Sequence, residues 1–169
     1  MEEEDEPETG LINVFGMYWF CDRVAWEKPK LLGQPQLGST NVDFAEQRGV
    51  NLHHDSCEVV YVGRTTDQAM CQRLRQHTSE RLCGRWDRFS WFGILPVRPD
   101  GKLAAGPNET FNIVNLIATM GALLIEGLEP PQNRKRGDGS SAVEFIQVVD
   151  PSTEERQRKA MMLEPLSKK

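Results

Sequence analysis

Four polar side chains in this 169-residue chain have the types and spacing to work on one group: Tyr61, Arg73, His77 and Asn133. Arg73 and His77 are one helical turn apart and so share a helix face. Tyr61 stands late in a β-branched, aromatic run, and Asn133 follows a rigid Pro130-Pro131 corner. A phenol, a guanidinium and an imidazole can handle protons and stabilise developing negative charge. Each residue also has a plainer reading. A strand tyrosine packs its ring, an arginine on an amphipathic helix faces solvent along its stem, and an asparagine after Pro-Pro ends a turn. Their joint placement is what would distinguish the two readings.

The stretch from Gly49 to His77 must do the positioning. Gly49 to His54 reads as one strand, Asp55-Ser56-Cys57 as a three-residue turn, and Glu58 to Val62 as the returning strand. Gly63 reads as the break after it. A helix then runs over about 67–81, with Asp67 as N-cap and Met70 and Leu74 at helical spacing. Residues 1–10 carry an acidic run and read as a disordered tail. Residues 11–45 read as a short strand followed by a packed aromatic arm (Phe15, Tyr18, Trp19, Phe20, Trp26) and a loop over 29–41. Trp86 to Val97 is a further strand. Asn108 to Leu128 is a second helix, with Ile113, Leu116, Ile117, Met120, Leu124 and Leu128 on one face. Ala142 to Val149 is a strand candidate, and a helical or frayed tail follows Pro151. The expected fold is α+β. A small antiparallel sheet with flanking helices, in the order β-β-α-β-α over 46–138, carries an N-terminal arm and a C-terminal extension over 139–169.

Without the acidic tail the charge is close to neutral, so the net value of −5 does not point to a partner class. Cys21, Cys57, Cys71 and Cys83 have no CxxC spacing. With no targeting pattern at the start, they read as reduced thiols of a cytoplasmic protein. No apolar run reaches the ~18 residues of a membrane span.

Taken together, several segments resemble the GIY-YIG endonuclease family across residues 46–138. They are Tyr61-Val62-Gly63-Arg64-Thr65, Arg73-Leu74 with His77, then Leu124-Ile125, Leu128 and Pro130-Pro131-Gln132-Asn133. The resemblance implies metal-dependent hydrolysis of a phosphodiester, usually in DNA, with one Mg²⁺ or Mn²⁺ held by a glutamate. In that scheme Tyr61 is the second-strand tyrosine. Arg64 is the basic residue after the triplet, Arg73 steadies phosphate charge, His77 assists one turn on, and Asn133 is structural. Arg64, Arg75, Arg134, Lys135 and Arg136 would contact phosphates.

Two positions depart from the family pattern. Asn51 stands where the first tyrosine belongs. Gly16-Met17-Tyr18 looks closer on paper but lies 43 residues before Tyr61, and reads as accessory packing. Counting back four residues from Ile125 and twelve from Asn133 places Gly121 where the metal-binding glutamate belongs. Glu126, roughly 140° around the helix, or Glu129, roughly 80° around, would have to replace it. His53, two residues after Asn51 on the same strand face, could supply the missing proton chemistry with its pKa near ~6.5; the plainer reading is a surface histidine. The expectation is an impaired nuclease domain that still binds nucleic acid. An active enzyme with a rearranged metal site, and a structural or protein-interaction domain, are the alternatives. A homodimer or a larger host protein stays open.

Overall fold

The computed structural model describes residues 11–65, 68–104, 119, 123, 126–128 and 142–163. The chain is α+β, built on two sheets. The strands are β1 (Val14–Phe20), β2 (Leu32–Gln34), β3 (Val42–Asp43), β4 (Gly49–Asp55), β5 (Glu58–Thr65), β6 (Arg88–Gly93), β7 (Val143–Glu144) and β8 (Ile146–Gln147). The helices are α1 (Met70–His77) and α2 (Pro151–Leu163), with a 3-10 turn at Cys21–Arg23. The larger sheet runs β5-β4-β6-β1-β7 and the smaller runs β3-β2-β8. All pairings are antiparallel except β1 with β7, so the larger sheet is mixed rather than purely antiparallel. Among the described residues, no helix is long and apolar enough to cross a membrane.

The hairpin at the centre of the sequence forms, with adjustments. Asp55 pairs with Glu58, so the turn is two residues, Ser56-Cys57, rather than three, and Ser56 takes φ 56°. Gly63 does not break β5, which continues to Thr65. Its lack of a side chain serves packing: a Cβ there would lie 2.5 Å from Asn51 Oδ1 and 3.0 Å from a Tyr61 ring carbon. Helix α1 is shorter than the spacing predicts. Its N-cap is Ala69, which makes no side-chain bond. The first free N–H groups are met by backbone instead, Met70 by the Gln47 carbonyl at 2.9 Å and Cys71 by the Ala45 carbonyl at 3.1 Å. Asp67 lies outside the described residues.

The aromatic arm is part of the sheet. β1 pairs with β6 along its length, with a bulge between Gly16 and Trp19 at which Tyr18 takes φ 53°. The loop expected over 29–41 contains β2. The strand expected over 142–149 divides: β7 joins the large sheet, β8 joins the small one, and Phe145 sits buried between them. Trp19 Nε1 donates to the Phe145 carbonyl at 3.0 Å. The C-terminal extension does form a helix: Pro151 occupies the first turn of α2, where its missing N–H costs nothing, and the Asp150 carboxylate accepts from Ser152 N at 2.9 Å.

Two apolar layers cover the large sheet. On the α1 side Trp19, Leu31, Phe44, Met70, Leu74, Phe89, Trp91 and Phe145 form the main core. On the other side Ile12, Phe15, Leu52 and Phe92 pack with Leu123 and Ala142. Of the second helix expected over 108–128, residues 119, 123 and 126–128 are described and helical. A Cβ at Gly127 would lie 3.1 Å from Leu52 and 3.7 Å from Phe92, so this helical segment covers the face away from α1.

Candidate functional site

Strand alternation decides which side chains meet. Asn51 pairs with Gly63 and His53 with Tyr61, which puts all four positions on the α1 face. Helix α1 lies over that face and buries Met70, Cys71, Leu74 and His77 as one stripe. Arg73 reaches over the strand edge, and its Nη2 donates to Tyr61 Oη at 3.0 Å. A second guanidinium nitrogen donates to Gln76 Oε1 at 3.1 Å. Behind this pair the rings interlock. Tyr61 to His77 is 4.8 Å, His53 to His77 is 4.9 Å, and His53 to Tyr61 is 5.4 Å between centroids. Tyr61, Arg73, His77 and His53 therefore share one cluster, with the tyrosine hydroxyl and the guanidinium at its half-exposed mouth.

The floor of the cluster is dry. His53 and Asn51 are fully buried, so His53 is not a surface histidine. His53 Nε2–H donates to Asn51 Oδ1 at 3.0 Å, and the Asn51 amide points at Met70 Sδ, 3.7 Å away. His53 Nδ1 and both His77 ring nitrogens are buried without hydrogen-bond partners. Burial, reinforced by the nearby His77, His54 and Arg73, pushes the His53 imidazole down to about 3. His77 is also shifted down, by burial first and then by Arg73 and Arg81, with Glu80 acting the other way. Both imidazoles are neutral at pH 7.

Three further residues, none of them among the expected site residues, contribute to the cluster. Trp86 Nε1 donates to the His77 carbonyl at 3.1 Å, and its ring packs 4.4 Å from His53. Arg81 carries its guanidinium to 5.9 Å from the Tyr61 ring centre. Glu80 Oε2 lies 3.7 Å from His77 Nδ1. Arg81 is four residues beyond His77, so helical spacing gave a signal for it. Trp86 gave none.

Other expected site residues lie elsewhere. Arg64 pairs with Val50, three residues from Tyr61, and so faces away from α1; it does not join the cluster. Arg75 lies two positions from Arg73 on α1 and lines an open cleft with Lys28, Lys30, Asp43 and Glu46. Tyr18 stands on β1, two strands from β4, and stacks at 4.8 Å on His54 rather than on the cluster. Glu126 belongs to the helical segment on the opposite sheet face, where its neighbour Gly127 meets Leu52 and Phe92. Gly121, Glu129, Asn133, Arg134, Lys135 and Arg136 lie outside the described residues.

The donor set at the cluster does not fit a hard divalent cation. Mg²⁺ is bound through oxygens, chiefly carboxylates. The cluster instead offers a phenol, an amide oxygen already bonded to His53, two guanidinium groups that repel a cation, and a single carboxylate, Glu80, turned to His77. Among the described residues no three acidic, histidine or cysteine side chains converge on one point. The arrangement suits an anion: Arg73 and Tyr61 present N–H and O–H donors at the mouth of an apolar floor. Compared with known proteins, the chain matches no protein-family model, no curated protein and no solved structure. All four cysteines are free thiols.

Proposed function

We propose that the Tyr61–Arg73 mouth contacts a phosphate of nucleic acid, and that the chain is a GIY-YIG-type nuclease domain with impaired cleavage. The observation that supports this most is the 3.0 Å bond from Arg73 to Tyr61 Oη, backed by two buried imidazoles. A guanidinium held by a neutral phenol keeps its full charge for a ligand. Asn51 favours impairment. It is a buried acceptor for His53 and does not reach the mouth, so the proton chemistry of a first-strand tyrosine has no replacement there. Gly121 supports the same reading from sequence, since it supplies no carboxylate.

The test is fluorescence anisotropy with a labelled DNA duplex at several salt concentrations, alongside nicking of supercoiled plasmid with Mg²⁺ or Mn²⁺ and with EDTA. The proposal expects salt-dependent binding, at least fivefold weaker in Arg73→Gln, with no metal-dependent nicking. Nicking that disappears in EDTA and in Glu126→Ala would favour an active enzyme with a rearranged site. Absence of binding at low salt would leave a structural or protein-interaction domain.

A further inference from the structure

The cluster has more positive charge at its mouth than a phosphodiester needs. Arg73 and Arg81 approach Tyr61 from different sides, one at the hydroxyl at 3.0 Å and one over the ring at 5.9 Å. Both also lie near enough to His77 to add to the effect of its burial in lowering that imidazole. Among the described residues neither guanidinium meets a carboxylate: Arg73 bonds to Gln76 and Tyr61, and Arg81 to the Tyr61 ring. Glu80, half-exposed, is turned to His77 instead. Two uncompensated guanidinium groups flank one phenol whose proton is free to donate, because its oxygen already accepts from Arg73.

A phosphodiester in a nucleic-acid strand carries one negative charge. A phosphomonoester carries about −1.5 to −2 at pH 7, on three acceptor oxygens. Arginine binds such a group through paired, charge-assisted bonds. From this match we propose that the Tyr61–Arg73–Arg81 mouth is a receptor for a terminal phosphate, the phosphomonoester end of a nucleic-acid strand. Arg81 is the residue that separates an end from an internal linkage. This rests on the nucleic-acid reading of the same site and narrows it to one class of substrate. Tyr61 lies on β5, the outermost strand of the large sheet among the described residues, so a strand end can enter from the side without being threaded.

The experiment compares one oligonucleotide sequence in three forms: 5′-phosphate, 3′-phosphate and hydroxyl at both ends, with the dye attached internally. Anisotropy titrations at fixed salt should show a phosphorylated end bound on the order of tenfold more tightly than the hydroxyl form, the effect of one additional close charge pair. Arg81→Gln should abolish that preference, weakening the phosphorylated forms on the order of tenfold more than the hydroxyl form. Because Arg81 is exposed, its replacement keeps the fold, which a thermal melt verifies. Arg73→Gln should weaken all three forms. Equal affinity for the three forms in the wild type overturns the receptor while the nucleic-acid reading stands. No binding of any form overturns both. Displacement by inorganic phosphate or a mononucleotide at the same concentration as by the phosphorylated oligonucleotide would assign the mouth to free phosphate and overturn its use on strand ends.

Discussion

Acid should unfold this protein through His53, and the size of the effect follows from its surroundings. The imidazole is fully buried, donates from Nε2 to Asn51, and has no acceptor at Nδ1. A second proton would sit on Nδ1, away from water and beside the Arg73 charge. Its pKa is therefore about 3 in the folded chain, against about 6.5 in an unfolded one. The unfolded state binds the extra proton first, so stability is complete above about pH 6.5 and is lost as pH falls toward 3. In the lower part of that window one site gives a slope of about 1.4 kcal/mol per pH unit. Between pH 7 and pH 4.5 the loss from His53 is about 2–3 kcal/mol, a large part of the ~5–15 kcal/mol that holds a domain together. His77, shifted the same way, steepens the slope. The assay is urea unfolding of wild type and His53→Gln across pH 4.5–7.5. Glutamine can still donate to Asn51 but does not titrate, and carboxylate effects cancel in the difference. The two stabilities should converge by about 2–3 kcal/mol on acidification. A difference that stays constant with pH would refute the reasoning.

Gly63→Ala should destabilise by about 1–3 kcal/mol, read by thermal or urea unfolding, because its Cβ would lie 2.5 Å from the buried Asn51 amide oxygen. Trp19→Ala should cost about 3–5 kcal/mol, since this ring is 2% exposed and stacks edgewise on Phe44, Phe89 and Trp91. Ellman's reagent at pH 8 should label Cys57 and Cys83 rapidly, both being exposed. Cys21, whose thiol burial pushes up to about 11, and buried Cys71 should react only in denaturant.

The hairpin, the first helix and the meeting of Tyr61 with Arg73 and His77 were legible because their signals are local. Alternation, a short turn and a one-turn spacing are all set within thirty residues of chain. The same alternation also carried information that the motif comparison overrode: Arg64 is an odd number of residues from Tyr61 and so had to face the other way. Gly63 has the signature of a strand breaker because its conformational freedom is a local property, whereas the close approach of Asn51 comes from the neighbouring strand. His53 looked exposed because burial depends on Trp86 and α1 arriving from later in the chain. The short strands β2, β7 and β8 gave no periodic signal; each is held by partners far away in sequence.

The division of residues 143–147 between the two sheets bears on how the protein comes into being on the ribosome. Trp19 waits for the carbonyl of a residue 126 positions later, and Phe20 and Gln147 clasp each other across 127. Until that late segment leaves the exit tunnel, β1 and β2 each stand with an unclosed flank, the kind of bare margin on which nascent chains stick to one another. Assembly of this protein is therefore set by its last strands rather than its first. A chain stopped near residue 140 should be a client for chaperones even with Tyr61, Arg73 and Arg81 already made.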